Sequence, residues 1–169
     1  TGFIGSAIAR KLVKEGWSVR ALIRTPLRRT RLEGVSIQWV HGTLEDIEHL
    51  ESLVGDAHAV VHCAGAVRGI TDADFYDVNV EAVSRLAQIA ALRSPAPRFL
   101  LISSLAAREP NLSAYAASKR MGEIALSQMA GDFTWTVFRP PAVYGPGDRA
   151  LLPLFRLMGR GIAPLLGRT

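Results

Sequence analysis

Apolar positions along the chain switch repeatedly between a helical and a strand period. Ile4, Ile8 and Leu12 recur at four-residue spacing, which predicts a helix over residues 4–13 stopped by Gly16. Residues 17–23 read as a strand broken by Pro26, and a second strand is expected over 35–40. Residues 44–53 predict a helix closed by Gly55, and 58–64 form a nearly unbroken apolar run, as a strand covered on both faces requires. A long helix is expected over 74–93, with Val80, Val83, Leu86, Ala87 and Ala90 turned inward. A buried strand over 99–103, a helix over 113–129, a strand over 135–139 and a last helix over 151–158 complete the series.

Strands alternating with helices imply a parallel sheet, because parallel strands need crossover connections. The expected fold is therefore α/β, a Rossmann-type doubly wound sheet with helices on both faces. Ligands of such sheets bind beyond the carboxyl ends of the strands, so the residues just after each strand are the candidates for chemistry. The chain opens inside a glycine turn, Thr1-Gly2-Phe3-Ile4-Gly5, and closes on Pro164-Leu165-Leu166-Gly167-Arg168-Thr169. The expectation is a dinucleotide-binding domain over 1–147 that lacks its first strand, followed by the start of a substrate-binding subdomain over 148–169. On that reading the 169 residues alone hold nucleotide poorly and turn nothing over.

At 169 residues and 49% hydrophobic content the chain can bury one sizeable core. No apolar run approaches the roughly 20 residues that span a bilayer. Cys63 is the single cysteine, which excludes an internal disulfide and fits a reducing cytoplasm. The net charge of +5 raises the question of a nucleic-acid partner. The basic residues are mostly dispersed arginines, however, and the one cluster, Arg24, Arg28, Arg29 and Arg31, has no RNA-binding motif or zinc-finger spacing near it. No nucleic-acid partner is expected. The cluster suits either a phosphorylated small ligand or a solvated surface.

Five stretches carry candidate chemistry. Gly2, Phe3, Ile4 and Gly5 lead into a helix, whose free N–H groups and glycine turn suit a pyrophosphate; a plain turn reads the same way. Arg24 ends the next strand, where an acidic residue selects NAD and an arginine suits the 2′-phosphate of NADP. NADP is therefore favoured over NAD, with a solvated basic loop as the alternative. His62-Cys63-Ala64-Gly65 ends the apolar strand with small residues that let a ribose and pyrophosphate pass. His62 has no second ligand at metal spacing and is taken as structural, Cys63 as a small apolar residue, and no metal is expected.

Tyr115 and Lys119 lie four apart and share a helical face. A free phenol ionises near pH 10, and a neighbouring ammonium favours the phenolate. Ser104 ends the strand before them, placed to hydrogen-bond a substrate oxygen. Such a set lets a tyrosine exchange a proton with a carbinol beside a nicotinamide; an ordinary helical Tyr–Lys pair is the bland alternative. Lastly, Arg139-Pro140-Pro141-Ala142-Val143-Tyr144-Gly145-Pro146-Gly147-Asp148 is a rigid loop. It suits either a lid over the nicotinamide or a domain connector. Arg68, Tyr144 and Arg149 are the candidates to face a substrate.

Taken in order, TGFIG, HCAG, Val78-Asn79-Val80, Ser103-Ser104, YAASK and RPPAVYGPGD resemble the extended short-chain dehydrogenases/reductases, the NAD(P)-dependent epimerase/dehydratase group, over essentially the whole chain. The resemblance implies Ser104, Tyr115 and Lys119 as a catalytic triad and Gly2–Gly5 as the pyrophosphate turn. It places Leu44 near the adenine, Pro140 and Val143 near the nicotinamide, and Asn79 as a shaper of the active-site helix. It implies NADP or NAD as cofactor, a small-molecule ketone, alcohol or sugar nucleotide as substrate, and pairing into a homodimer through the Tyr115 helix. Thr43 stands where the group often has an acidic residue. The segment between Ser104 and Tyr115 is short and lacks the tyrosine–glycine pair frequent in sugar-nucleotide members. A non-catalytic NADP(H)-binding subunit of the same fold is the alternative function.

Overall fold

In the computed structural model, which describes residues 2–25, 32–129 and 133–162, the first helical period becomes helix α1 (Phe3–Lys14). Thr1, Pro26, Arg28, Arg29, Arg31 and the closing segment 164–169 lie outside the described residues. The buried side of α1 carries the small residues Ser6 and Ala9, which let the helix pack closely. Gly16 ends it with φ +86°, where a side chain would be strained. Around it the Trp17 N–H donates to the Leu12 carbonyl and the Gly16 N–H to that of Val13, satisfying two of the helix's last acceptors.

Four of the five described strands are shorter than their expected runs, the first two losing residues at their amino ends. Strand β1 (Arg20–Ile23) pairs in parallel with β2 (Gln38–His41), Arg20 opposite Gln38 and Ile23 opposite His41. Strands β3 (Ala59–His62), β4 (Arg98–Ile102) and β5 (Trp135–Phe138) form a second parallel ladder in that spatial order. Every described pairing is thus parallel, as the alternation of periods requires.

Helix α2 (Ile47–Val54) begins after the Asp46 cap, whose side chain accepts from the His49 N–H, and stops at Gly55 with φ +42°. It packs beside α4 (Ala82–Ala91), which in turn packs beside α5 (Ala114–Ser127). Between this helical layer and the strands lies the core, with Leu50, Val54, Val83, Leu86, Phe99, Leu101 and Leu126 at its centre. The inward residues expected on the long helix, Val80, Val83, Leu86, Ala87 and Ala90, are all buried.

That long helix differs in its interior. It starts at Asp72, because Thr71 and Asp74 form a reciprocal capping box, and runs as α3 (Asp72–Tyr76). A π turn over Asp77–Glu81 then precedes α4. The wider turn accommodates an extra residue and turns Asn79 fully inward, to 1% exposure. A last helix, α6 (Leu152–Met158), follows Asp148, whose carboxylate accepts from the Ala150 and Leu151 N–H groups at 2.8 and 3.2 Å. These features describe a Rossmann-type α/β fold.

Candidate active site

The carboxyl ends of β4 and β5 meet the start of α5. Ser113 caps α5 by accepting from the Ala116 N–H at 3.1 Å, which places Tyr115 in the first turn. The Tyr115 ring is half-buried and meets Phe75 edge-on, with centroids 6.4 Å apart. Ser104, just after β4, caps the 3₁₀ turn Leu105–Arg108 through a 3.2 Å bond from the Ala106 N–H. Ser104, Tyr115, Ile4, Pro140 and Val143 together line a cavity of about 500 Å³. Its remaining lining comes from Ser103, Leu105, Ala106, Glu109, Leu112, Pro141 and Ala142. Three hydroxyl-bearing residues, Ser103, Ser104 and Tyr115, therefore border one largely apolar space, in which Glu109 is the single charged residue of the lining.

Lys119 lies one turn beyond Tyr115, buried, with its Nζ donating to the Ile102 carbonyl at 3.0 Å. Burial pulls its pKa below the usual lysine value, and the Glu123 carboxylate pulls the other way. Gly65, at the end of β3, comes close to this amine: a Cβ there would stand 3.3 Å from Lys119 Nζ and 3.2 Å from Asn79 Oδ1. Asn79 clamps the same loop, accepting from the Ala66 N–H at 3.1 Å and donating to the Ala66 carbonyl at 3.0 Å. It also donates to Ser118 Oγ at 2.9 Å, which ties the loop after β3 to α5. The π turn is what allows one side chain to reach both.

Burial pushes the Cys63 thiol up to about 11, so it stays a protonated, weakly polar group. His62 is buried, its Nε2 has no hydrogen-bond partner, and no metal-ligand cluster occurs among the described residues. Burial, with the Lys119 ammonium adding to it, holds the His62 imidazole at about 4. The unfolded ring takes its proton near pH 6.5, so the unfolded state binds protons first as pH falls. The associated stability is present above the unfolded value and is lost on acidification, by on the order of 3 kcal/mol once pH passes below the folded value. Denaturant melts from about pH 7 down to about pH 4 are expected to show this loss, and His62→Leu to flatten it. An unchanged slope in the variant would assign the loss to other groups.

At the other end of the site, Gly2 caps α1 without a side chain, and Phe3, Ile4 and Gly5 form its first turn. A Cβ on Gly5 would lie 3.4 Å from Cys63 Cβ, so glycine lets α1 approach the end of β3. Ser6 Oγ, in the same turn, is buried with no partner. Arg24 is exposed at the carboxyl end of β1. Glu45 is held below the usual carboxylate range mainly by the Thr43 hydroxyl, with Arg85 and Arg24 adding smaller attractions, so Arg24 stands near the Leu44–Glu45 turn. Leu44 is half-buried against the core, and its carbonyl accepts from Arg85 at 2.6 Å. Ala64 is half-buried beside Cys63.

The substrate-facing candidates do not gather at the cavity. Arg68, Tyr144 and Arg149 are exposed and absent from its lining, and the Tyr144 ring packs on Phe155 with centroids 5.5 Å apart. Sequence reading also passed over Glu123, behind the wall. The Glu123 carboxylate is buried and accepts from Ser103 Oγ at 2.5 Å, from Arg139 at 2.8 and 2.5 Å, and from Arg120 at 3.2 Å. Its place four residues after Lys119 was the available signal.

Comparison with known proteins bears on the family and the fold. The sequence profile described as the NAD dependent epimerase/dehydratase family matches residues 1–162. A ceramide reductase of Caulobacter vibrioides is 40% identical over 100% of this chain and 52% of its own length. The 4-hydroxy-2-methyl-3-oxo-4-farnesyl-3,4-dihydroquinoline-1-oxide ketoreductase of Stigmatella aurantiaca is 29% identical over 90% of this chain and 51% of its own. The chain thus spans about half the length of these relatives. The structure of the Bordetella bronchiseptica enzyme WbmH in complex with NAD+ superposes with a TM-score of 0.79 at 25% identity, covering 95% of this chain and 60% of that one. Family profile, relatives and fold converge, and the chain belongs to the NAD dependent epimerase/dehydratase family.

Proposed function

We propose that the protein is an NAD(P)-dependent reductase acting on a ketone and its secondary alcohol, with Tyr115 as general acid/base. The observation that carries this reading is the convergence of Ser104 and Tyr115 on one cavity, with the Lys119 ammonium buried one helical turn behind the phenol. Tyr115 exchanges a proton with the substrate oxygen, and Ser104 hydrogen-bonds that oxygen. A bound nicotinamide supplies the hydride chemistry.

The residues present fit a dinucleotide. The unpartnered Ser6 Oγ and the side-chain-free cap at Gly2 suit an anionic group at the α1 N-terminus. Phe3, Ile4 and Gly5 complete that turn, Cys63, Ala64 and Gly65 give the ribose a low passage, and Leu44 borders the adenine. Lys119 serves the ribose hydroxyls, and Pro140 and Val143 the nicotinamide. Arg24 supports NADP over NAD. Residues 1–147 make the dinucleotide half, and 148–169 begin the substrate half. Met121 and Ile124, exposed on α5, support pairing of two copies along that helix.

The apolar lining supports an apolar ketone over a sugar nucleotide, whose diphosphate would meet the negative charge of Glu109. The names of the Caulobacter and Stigmatella relatives point the same way. Full-length protein is expected to consume NADPH with 2-dodecanone in detergent micelles and not with UDP-glucose. Arg24→Ser is expected to weaken the preference for NADPH over NADH by roughly 10- to 100-fold, the worth of a charge-assisted hydrogen bond. NAD(H) released only on denaturation, without ketone-dependent consumption of NADPH, would replace the reductase by an epimerase or dehydratase.

A further inference from the structure

We propose that Glu123 is a positioning residue whose carboxylate locks α5 to the carboxyl ends of β4 and β5, holding Tyr115 and Ser104 at one separation. The proposal rests on the reading of Ser104 and Tyr115 given above. Tyr115, Lys119 and Glu123 follow one another at four-residue spacing and so share a row of α5. The second and third members reach consecutive residues of one segment: Lys119 Nζ donates to the Ile102 carbonyl at 3.0 Å, and Glu123 Oε1 accepts from Ser103 Oγ at 2.5 Å. Ser104 is the next residue along.

From just beyond β5, Arg139 grips both oxygens, Nε to Oε1 at 2.8 Å and Nη2 to Oε2 at 2.5 Å. Pro140, beside it, accepts from the Leu105 N–H at 2.9 Å, which closes the connection between the two strand ends.

Stability alone is a poor reason for this arrangement. Glu123 is 5% exposed, and packed apolar residues often stabilise a buried site as well as an ion pair does. What an apolar pair lacks is direction. A two-pronged guanidinium–carboxylate contact admits one orientation, and the Ser103 hydroxyl adds a third fixed point. Burial alone would raise the Glu123 pKa, yet Arg139, Ser103 and Arg120 bring it below the usual range, so the grip acts on a charged carboxylate at neutral pH.

The test uses full-length Glu123→Gln, with 2-dodecanone as substrate probe and NADPH affinity measured by direct titration. The expected result is a kcat roughly 10- to 100-fold lower per folded molecule, as misplacement of reacting groups produces, with KM and the NADPH Kd little changed. If Glu123→Gln does not fold, Glu123→Met with Arg139→Met removes both charges together and is expected to fold yet show the same loss of kcat. Wild-type kcat in a folded variant, or a loss that tracks only the unfolded fraction, overturns the proposal. Tyr115→Phe measured alongside separates the two ideas. An active Tyr115→Phe, or a wild-type protein inert toward every ketone, sinks the reading of the site. An inactive Tyr115→Phe beside a fully active Glu123→Gln sinks only the role of Glu123.

Discussion

Tyr115→Phe is expected to lower kcat by about 10²- to 10⁴-fold, the range a positioned acid/base supplies, while dinucleotide affinity and thermal stability stay near wild type. The substitution removes one oxygen and leaves the ring, so the edge-on contact with Phe75 at 6.4 Å persists. Ser113 still caps the helix and Lys119 still bonds the Ile102 carbonyl. Stopped turnover beside an unchanged melting curve and an unchanged NADPH titration would isolate proton transfer as the missing step. Residual activity within a few-fold of wild type would mean that another group moves the proton, and the assignment of Tyr115 would fall.

The second large effect is expected at Gly122, on stability. In a free helix alanine outranks glycine by about 1 kcal/mol, so Gly122→Ala looks favourable from the sequence. In the fold α5 presses on the π turn at this residue. A Cβ would stand 2.1 Å from the Asn79 carbonyl oxygen, 3.3 Å from its carbonyl carbon and 3.7 Å from Val83 Cγ2. The first two are backbone atoms and cannot rotate away. Relief requires α5 or the π turn to move, and a cost of about 3 kcal/mol is expected, at the upper end of overpacking effects. For a domain of 150–250 residues that lowers Tm by roughly 6–12 °C. Because the same shift displaces Asn79 from Ala66 and Ser118, activity should fall further than the folded fraction. A variant that melts at or above the wild-type temperature would contradict the close approach.

Much of the fold is legible from period alone. The runs that became β3, β4 and α5 are continuous in sequence; β4 buries Phe99 and Leu101, whereas β3, expected to be covered on both faces, buries Val60 and His62 and leaves Ala59 exposed. Ser104 and Tyr115 are legible because a strand end and a helix start place them by local rules. Properties that depend on a distant partner are not. The π turn at Asp77–Glu81 leaves the apolar spacing of its helix almost unaltered. Its true start at Asp72 was signalled by Thr71 and Asp74, a cap that periodicity does not register. Glu123 on α5 and Arg139 just beyond β5 are 16 residues apart, and neither position alone points to the other. Arg68, Tyr144 and Arg149 lie on exposed loops outside the lining of this cavity.

The single backbone bond from the Leu105 N–H to the Pro140 carbonyl bears on how such a site changes over time. It joins two walls of the cavity that come from different crossovers, so reshaping either loop strains or breaks that bond. Substitutions in the two walls share a partner and should be energetically non-additive. A lineage that adapts this cavity to a bulkier ketone would then change residues 105–112 and 140–143 as a correlated set, with single changes in either wall paying in both.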